Sequence, residues 1–199
     1  MLKKIILWVL AVLAIAFVAA VIIRIPYVRE KEKTDEVVAK IHATKLTLDD
    51  VMGKNLPPDP GAEADKTVAG IDANGNGIRD DVEIAIFKMY PGSAKTRAVL
   101  LQYALALQME MTQPLVNTGT VTAVAEDSGR AHLCVGEITP RNDLNKFIET
   151  TENYYKFIEA LQFNTNERKE AHNSFYNGNL GSYASPDNTC DLDLEKMLN

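Results

Sequence analysis

Oxygen-bearing side chains recur at short, regular intervals along residues 72–83, and together they could bind a metal ion. Short acidic and amide side chains spaced by two residues can direct several oxygens towards one point. Hard cations such as Ca²⁺ take six to eight oxygen ligands in a loose shell, so this pattern predicts a calcium site. The candidate ligands are the side chains of Asp72, Asn74, Asn76, Asp80 and Glu83, with the backbone carbonyl of Ile78.

These residues match every fixed position of the EF-hand loop, Asp-x-[Asp/Asn]-x-[Asp/Asn]-Gly-x5-Glu, so the stretch resembles that motif. Gly77 is the glycine that permits the sharp turn. The resemblance implies that Glu83 closes the site with both carboxylate oxygens and that Asp80 binds directly or through water. The alternative is a Gly/Asn-rich turn before a helix, with Asp80 and Asp81 serving only the N-terminal helix dipole.

Two residues depart from a standard EF-hand. Arg79 occupies position 8 of the loop, where an apolar residue is usual. Gly70, two residues before Asp72, makes the preceding segment a poor candidate for an entering helix. The run 76–81 is more similar to the loops of bacterial extracellular proteins and thrombospondin type 3 repeats, which have an extended entry. The resemblance covers residues 72–83 only. A single loop disfavours a sensor mechanism in which paired hands move their helices.

The N-terminus predicts a membrane anchor. Residues 5–23 carry no charge, and at about 1.5 Å per residue such a helix spans a bilayer core of roughly 30 Å. A cleavable signal peptide and a buried soluble helix are the alternatives. Lys3 and Lys4 favour a cytoplasmic N-terminus, whereas basic residues after the span, such as Arg24 and Arg29, oppose it.

Charge outside the anchor is strongly acidic. Residues 30–199 hold 27 acidic side chains against 17 basic ones. Nucleic acid is therefore not expected as a partner, because phosphate neutralisation requires clustered Lys and Arg.

The two cysteines, Cys134 and Cys190, predict one disulfide in an oxidising compartment. Two unrelated buried thiols are the alternative, and His132 beside Cys134 leaves a zinc site conceivable. A single calcium loop of this composition implies an affinity of about 10⁻⁴ to 10⁻³ M, which suits an extracellular module. Both features favour an inner-membrane protein with its head in the periplasm or extracellular space.

The remaining pattern predicts a mainly α fold: an N-terminal transmembrane helix and a helical head with one calcium loop. We expect an anchor over 1–29, a juxtamembrane stalk and Pro-rich linker over 30–61, and the head over 62–199. The stalk is predicted to be helical only over 35–42. The predicted head helices are 82–89, an amphipathic 94–111, and 121–126 and 130–135 separated by Ser128-Gly129. A further helix, capped by Asn142 or Asp143, is predicted to run through Gln162, and the last covers 165–176 with a capping box from Asn164 and closure at Gly178.

No catalytic constellation stands out, although the predicted helical head contains four candidate carboxylates: Glu110, Glu126, Asp127 and Glu137. A cell-wall hydrolase would need two of them across a cleft. The favoured function is a membrane-anchored, extracytoplasmic calcium-binding protein that acts as an interaction or scaffold module for an envelope partner. The hydrolase and a calcium-responsive regulator are the alternatives.

Overall fold

A computed structural model describes residues 1–177, 180–183 and 188–197. The chain forms two compact units, residues 1–37 and residues 38–199. The Pro-rich linker predicted from the sequence therefore belongs to the second unit, where Val51 and Pro57 are buried. The prediction that Gly178 closes the last helix lies outside the described residues.

Helix α1, Leu2–Ala43, is the one helix in the described chain that is long and apolar enough to cross a membrane. Its most apolar 18-residue window has a mean hydropathy of 3.2, and none of that window is buried. A soluble core helix of this composition would be covered by protein. The helix runs through Pro26 to Ala43, further than the short stalk helix that the sequence predicted.

Six further helices form the second unit, and no strand occurs in the described residues. The mainly α prediction is confirmed. Their bounds are α2 Leu48–Val51, α3 Asp80–Met89, α4 Ala94–Thr112, α5 Thr118–Glu137, α6 Leu144–Gln162 and α7 Asn166–Tyr176.

Helix α4 is the centre of this unit. Every residue from Thr96 to Glu110 is buried, and α2, α3, α5, α6 and α7 all pack against it. The amphipathic expectation for this helix was therefore wrong. Polar residues on α4, such as Gln102 and Gln108, are covered because each bonds to a backbone carbonyl, of Thr189 and Ala69 respectively.

Helix α5 is continuous where the sequence predicted a break at Ser128-Gly129. Ser128 donates a hydrogen bond to the Glu110 carboxylate, with Oγ 2.6 Å from Oε1. Glycine costs a helix interior about 1 kcal/mol relative to alanine. Packing of Val124, Ala131 and Val135 offsets that cost, since all three are fully or almost fully buried.

Short polar side chains cap the N-termini of α4, α6 and α7. Ser93 and Asp143 each accept a hydrogen bond from the first turn of α4 and α6, as expected. The predicted cap of α7 was displaced by one residue: Thr165 caps Arg168 N, whereas Asn164 bonds to Asp65 and to Arg168.

The C-terminal segment is fastened to the head beside the start of the second unit. Cys134 and Cys190 form the predicted disulfide. Arg130 then bridges two almost fully buried carboxylates, at 2.7 Å from Asp127 and 2.8 Å from Asp191. A zinc site at Cys134 is wrong, because its sulfur is bonded to Cys190.

Two residues just after α1 join this network. Lys45 Nζ lies 2.6 Å from Asp127 Oδ1, and the Leu46 N–H donates to Asp191 Oδ2 at 3.1 Å. The residues that follow α1 and the C-terminal segment are thus held by one ion network.

Replacing both cysteines with serine should lower the free energy of unfolding by about 4 kcal/mol, because the cross-link closes a long loop in the unfolded chain. Urea denaturation of the full chain in detergent measures the loss. Reduction of the wild-type protein with a thiol should give the same loss. Equal denaturation midpoints for the oxidised wild type and the double serine variant would contradict this account.

Candidate metal centre

The loop at residues 72–83 is folded by its own backbone. The Asp80 N–H donates to the Ile71 carbonyl at 2.9 Å, which closes the loop at the first residue of α3. Asp72 accepts three backbone N–H bonds: Oδ1 from Gly75 and Asn76, at 2.8 and 3.1 Å, and Oδ2 from Gly77 at 2.9 Å. The predicted first ligand thus organises the turn.

The other candidate ligands line the same loop. Asn76 Oδ1 accepts from the Ile78 N–H at 2.9 Å, and Asp80 Oδ1 accepts from the Ala73 N–H at 3.0 Å. Asn74 presents its amide nitrogen to Glu83 Oε2 at 3.0 Å. The Ile78 side chain is fully buried in the core, while the role of its carbonyl stays a prediction.

Two carboxylates of the loop are buried, and each has only one of its two oxygens hydrogen-bonded. Glu83 is 0% exposed and Asp80 is 1% exposed. Glu83 Oε1 and Asp80 Oδ2 have no hydrogen-bond partner within the described part of the chain. A buried polar oxygen without a partner costs free energy, and a buried charge costs more. These oxygens therefore have unused capacity to bind a cation.

The pKa shifts have the same cause. Burial raises the pKa of Glu83 to about 7, against the opposing effect of the Asn74 and Asn76 amides. Burial also raises the pKa of Asp80, and the charges of Asp72 and Asp81 add to the rise. The nearest arginine does not relieve this, because Arg79 is turned away to Asp81, with Nη2 2.5 Å from Oδ2.

Arg79 explains one departure from the EF-hand pattern. Its side chain is fully buried, and it also donates to the carbonyls of Leu161 and Gln162 at the end of α6. Gly70 explains the other departure. A Cβ at Gly70 would lie 2.9 Å from Arg79 Cδ, and its φ of +67° favours glycine.

The entry to the loop has no α-helix, as the sequence indicated; a short 3₁₀ helix, Gly61–Asp65, precedes it, and Arg168 holds this segment. This fully buried guanidinium donates to the carbonyls of Ala64, Thr67 and Val68 and pairs with Asp65 at 2.6 Å. No local pattern marks Arg168, because its partners lie about 100 residues earlier. A strongly basic side chain on an otherwise polar helix was the only available signal.

The described residues contain no group of three His, Cys, Asp or Glu side chains that could hold a metal ion. The loop would therefore depend on a mixed set of carboxylate, amide and carbonyl oxygens. Of the four helix carboxylates, Asp127 is ion-paired with Lys45 and Arg130, and Glu137 with Arg141. Glu110 lies elsewhere, bonded to Ser128 and Tyr176.

No family model matches this chain, and no curated protein or solved structure shows significant similarity to it. The geometry of the loop is therefore the main evidence for its function.

Alanine substitutions at three glycines should have graded effects on stability. Gly77 has a φ of +85°, and a Cβ there would lie 2.7 Å from Leu105 Cδ1; Gly75 has a φ of +73° with open space; Gly92 has neither constraint. We expect losses of about 3, about 1 and about 0 kcal/mol respectively. Chemical denaturation measures them, and an equal effect at Gly77 and Gly92 would contradict the loop conformation.

With a chelator present, stability should fall as pH rises from about 4.5 to about 7. Over this range folded Glu83 keeps a proton that the unfolded chain releases, so deprotonation favours unfolding. Glu83→Gln should remove about 3 kcal/mol of this fall. Unfolding free energies over pH 4–8 measure it for the variant and wild type. Glu137→Gln, at a surface pair, is the control and should follow the wild type.

Proposed function

We propose that residues 72–83 bind Ca²⁺ and that this chain is a membrane-anchored, extracytoplasmic protein stabilised by the ion. The observation that carries the proposal is the pair of buried carboxylates, Asp80 and Glu83, each with an oxygen that has no partner among the described residues. They lie in a closed loop whose spacing matches a calcium motif.

The proposed ligands are the side chains of Asp72, Asn74, Asn76, Asp80 and Glu83 and the Ile78 carbonyl. Bound calcium would supply the positive counter-charge that is missing beside the two buried carboxylates. Asp72 Oδ2 accepts only one hydrogen bond and can accept a further interaction, since each carboxylate oxygen has two lone pairs. Coordination through Asn74 would require its amide oxygen, rather than its nitrogen, to face Glu83.

The anchor and the disulfide support the proposed location. α1 has the length and apolarity of a single membrane span, and the Cys134–Cys190 bond suits an oxidising compartment. The inner membrane, with the head in the periplasm or extracellular space, accommodates both. A weak calcium site would also be filled there more readily than in a cytoplasm.

An interaction or scaffold role within the envelope is the proposed purpose of the head. Large apolar side chains remain exposed on α5 and α6, which pack together: Leu133, Leu144 and Ile148 are 53%, 69% and 45% exposed. Apolar groups on neighbouring helices could form a contact surface for a protein partner. The ion would act by stabilising the folded head that presents this surface.

Calcium should raise the melting temperature of the full chain in detergent at pH 8. A ligand at 100 times its dissociation constant stabilises a protein by about 2.7 kcal/mol, or about 5–10 °C for a domain of this size. Magnesium should do less, since it requires a tighter octahedral shell. Differential scanning fluorimetry with and without chelator measures the shift.

Glu83→Gln should abolish most of the calcium shift. Glu63→Gln, an exposed carboxylate paired with Lys66 before the loop, is the matched control and should keep the wild-type shift. An unchanged melting temperature on adding calcium to the wild type, or an undiminished shift in Glu83→Gln, would disprove the proposal.

A further inference from the structure

A second site is present between α4, α5 and α7, away from the loop. It is a cleft of about 250 Å³ with aromatic walls. Its lining includes Tyr103, His132, Tyr176 and Tyr183, together with the carboxylate-bearing Glu110. Small-molecule sites are usually concave and mainly apolar, with a few polar groups that select the ligand.

Glu110 is the selecting group of this cleft. It is 3% exposed, and its Oε1 accepts hydrogen bonds from Ser128 at 2.6 Å and from Tyr176 at 3.1 Å. Its Oε2 has no hydrogen-bond partner among residues 1–177, 180–183 and 188–197. In the described part of the chain, His172 is the only basic side chain within 4.0 Å of Oε2, and its Nε2 lies 3.5 Å away.

The charges around the cleft have one sign. Burial lowers the pKa values of His132 and His172, so both rings are neutral near pH 7. Neither Lys nor Arg occurs among the described residues that line the cleft. A second carboxylate, Glu159, accepts a hydrogen bond from Tyr103 Oη at 3.0 Å. Burial also raises the pKa of Glu110, against the opposing effect of its hydrogen bonds with Ser128 and Tyr176, so a cation in the cleft would stabilise the ionised form of this carboxylate.

The aromatic rings add to this preference. The face of a tyrosine ring carries partial negative charge, and a cation placed over it is attracted electrostatically. Tyr103 and His132 meet edge to face with ring centroids 5.8 Å apart, and one face of His132 is stacked on Tyr155 with centroids 3.9 Å apart, so these rings form one packed wall of the cleft. An anionic ligand would be repelled by both the carboxylates and the rings.

We propose that this cleft binds a small organic cation, an amine or quaternary ammonium compound, with Glu110 as the counter-charge and the tyrosine rings as the walls. The proposal is independent of calcium binding, because none of the cleft residues belongs to the loop. A neutral sugar could also lie against aromatic rings, but it would not use the carboxylate charge.

Choline and its isostere 3,3-dimethyl-1-butanol have nearly the same shape, but only choline is charged. Comparing their affinities therefore isolates the effect of the charge. Isothermal titration of the full chain in detergent, at constant saturating calcium, should show choline binding at least about tenfold more tightly than the alcohol. Equal affinity for the two compounds, binding of neither, or tighter binding of N-acetylglucosamine than of choline would each overturn the proposal.

Variants locate the site. Glu110→Gln should weaken choline binding at least about tenfold, whereas Glu126→Gln, on α5 outside the cleft lining, should leave it unchanged. If Glu110→Gln does not fold, as judged by circular dichroism, Tyr183→Ala replaces it. Tyr183 is 44% exposed, so its loss removes a wall at little structural cost and should weaken binding several-fold. Wild-type affinity in a folded Glu110→Gln or Tyr183→Ala protein would also overturn the proposal.

Discussion

The burial of two carboxylates at the start of α3 is the constraint on which the loop depends. Asp80 and Glu83 lie one turn apart on the face of α3 that is covered by protein. Within the described chain, no Lys or Arg nitrogen lies within 4.0 Å of either carboxylate. Removal of uncompensated charges from water costs several kcal/mol, so the fold must acquire a proton or a cation, or lose stability. The pKa values of Asp80 and Glu83 are raised because the protonated form avoids this cost.

The surrounding structure makes this burial possible by holding both ends of the loop from a distance. Arg168, on α7, donates hydrogen bonds to backbone carbonyls of the entry segment. Arg79, at the start of α3, donates to a backbone carbonyl at the end of α6. Gln108, on α4, adds a bond to the Ala69 carbonyl at 2.8 Å. In an EF-hand an entering helix provides this support. Here side chains from α4 and α7, together with Arg79 bonded to the end of α6, take its place and hold the extended entry.

Local features of the sequence predicted much of the fold. Capping residues and apolar spacing placed α4 and α6 to within about one residue. The spacing of oxygen-bearing side chains located the loop and its turn. What depended on distant contacts was not predictable. The continuity of α5 through Gly129 follows from burial against α4. Thr165 rather than Asn164 caps α7, because Asn164 is hydrogen-bonded to Asp65 and Arg168. Local sequence does not distinguish Glu110 from the three other helix carboxylates, because the aromatic rings around it are brought together only by the tertiary packing.

The network around Arg130 has a mechanical consequence. Lys45 and Leu46, which directly follow α1, are bonded to Asp127 on α5 and to Asp191 in the C-terminal segment. That segment is covalently tied to α5 through Cys134. Tension applied to Lys45 and Leu46 from the N-terminal side would therefore reach α5 through ion pairs and a disulfide before it could detach α2 from the core. The second unit resists traction at the point where α1 ends.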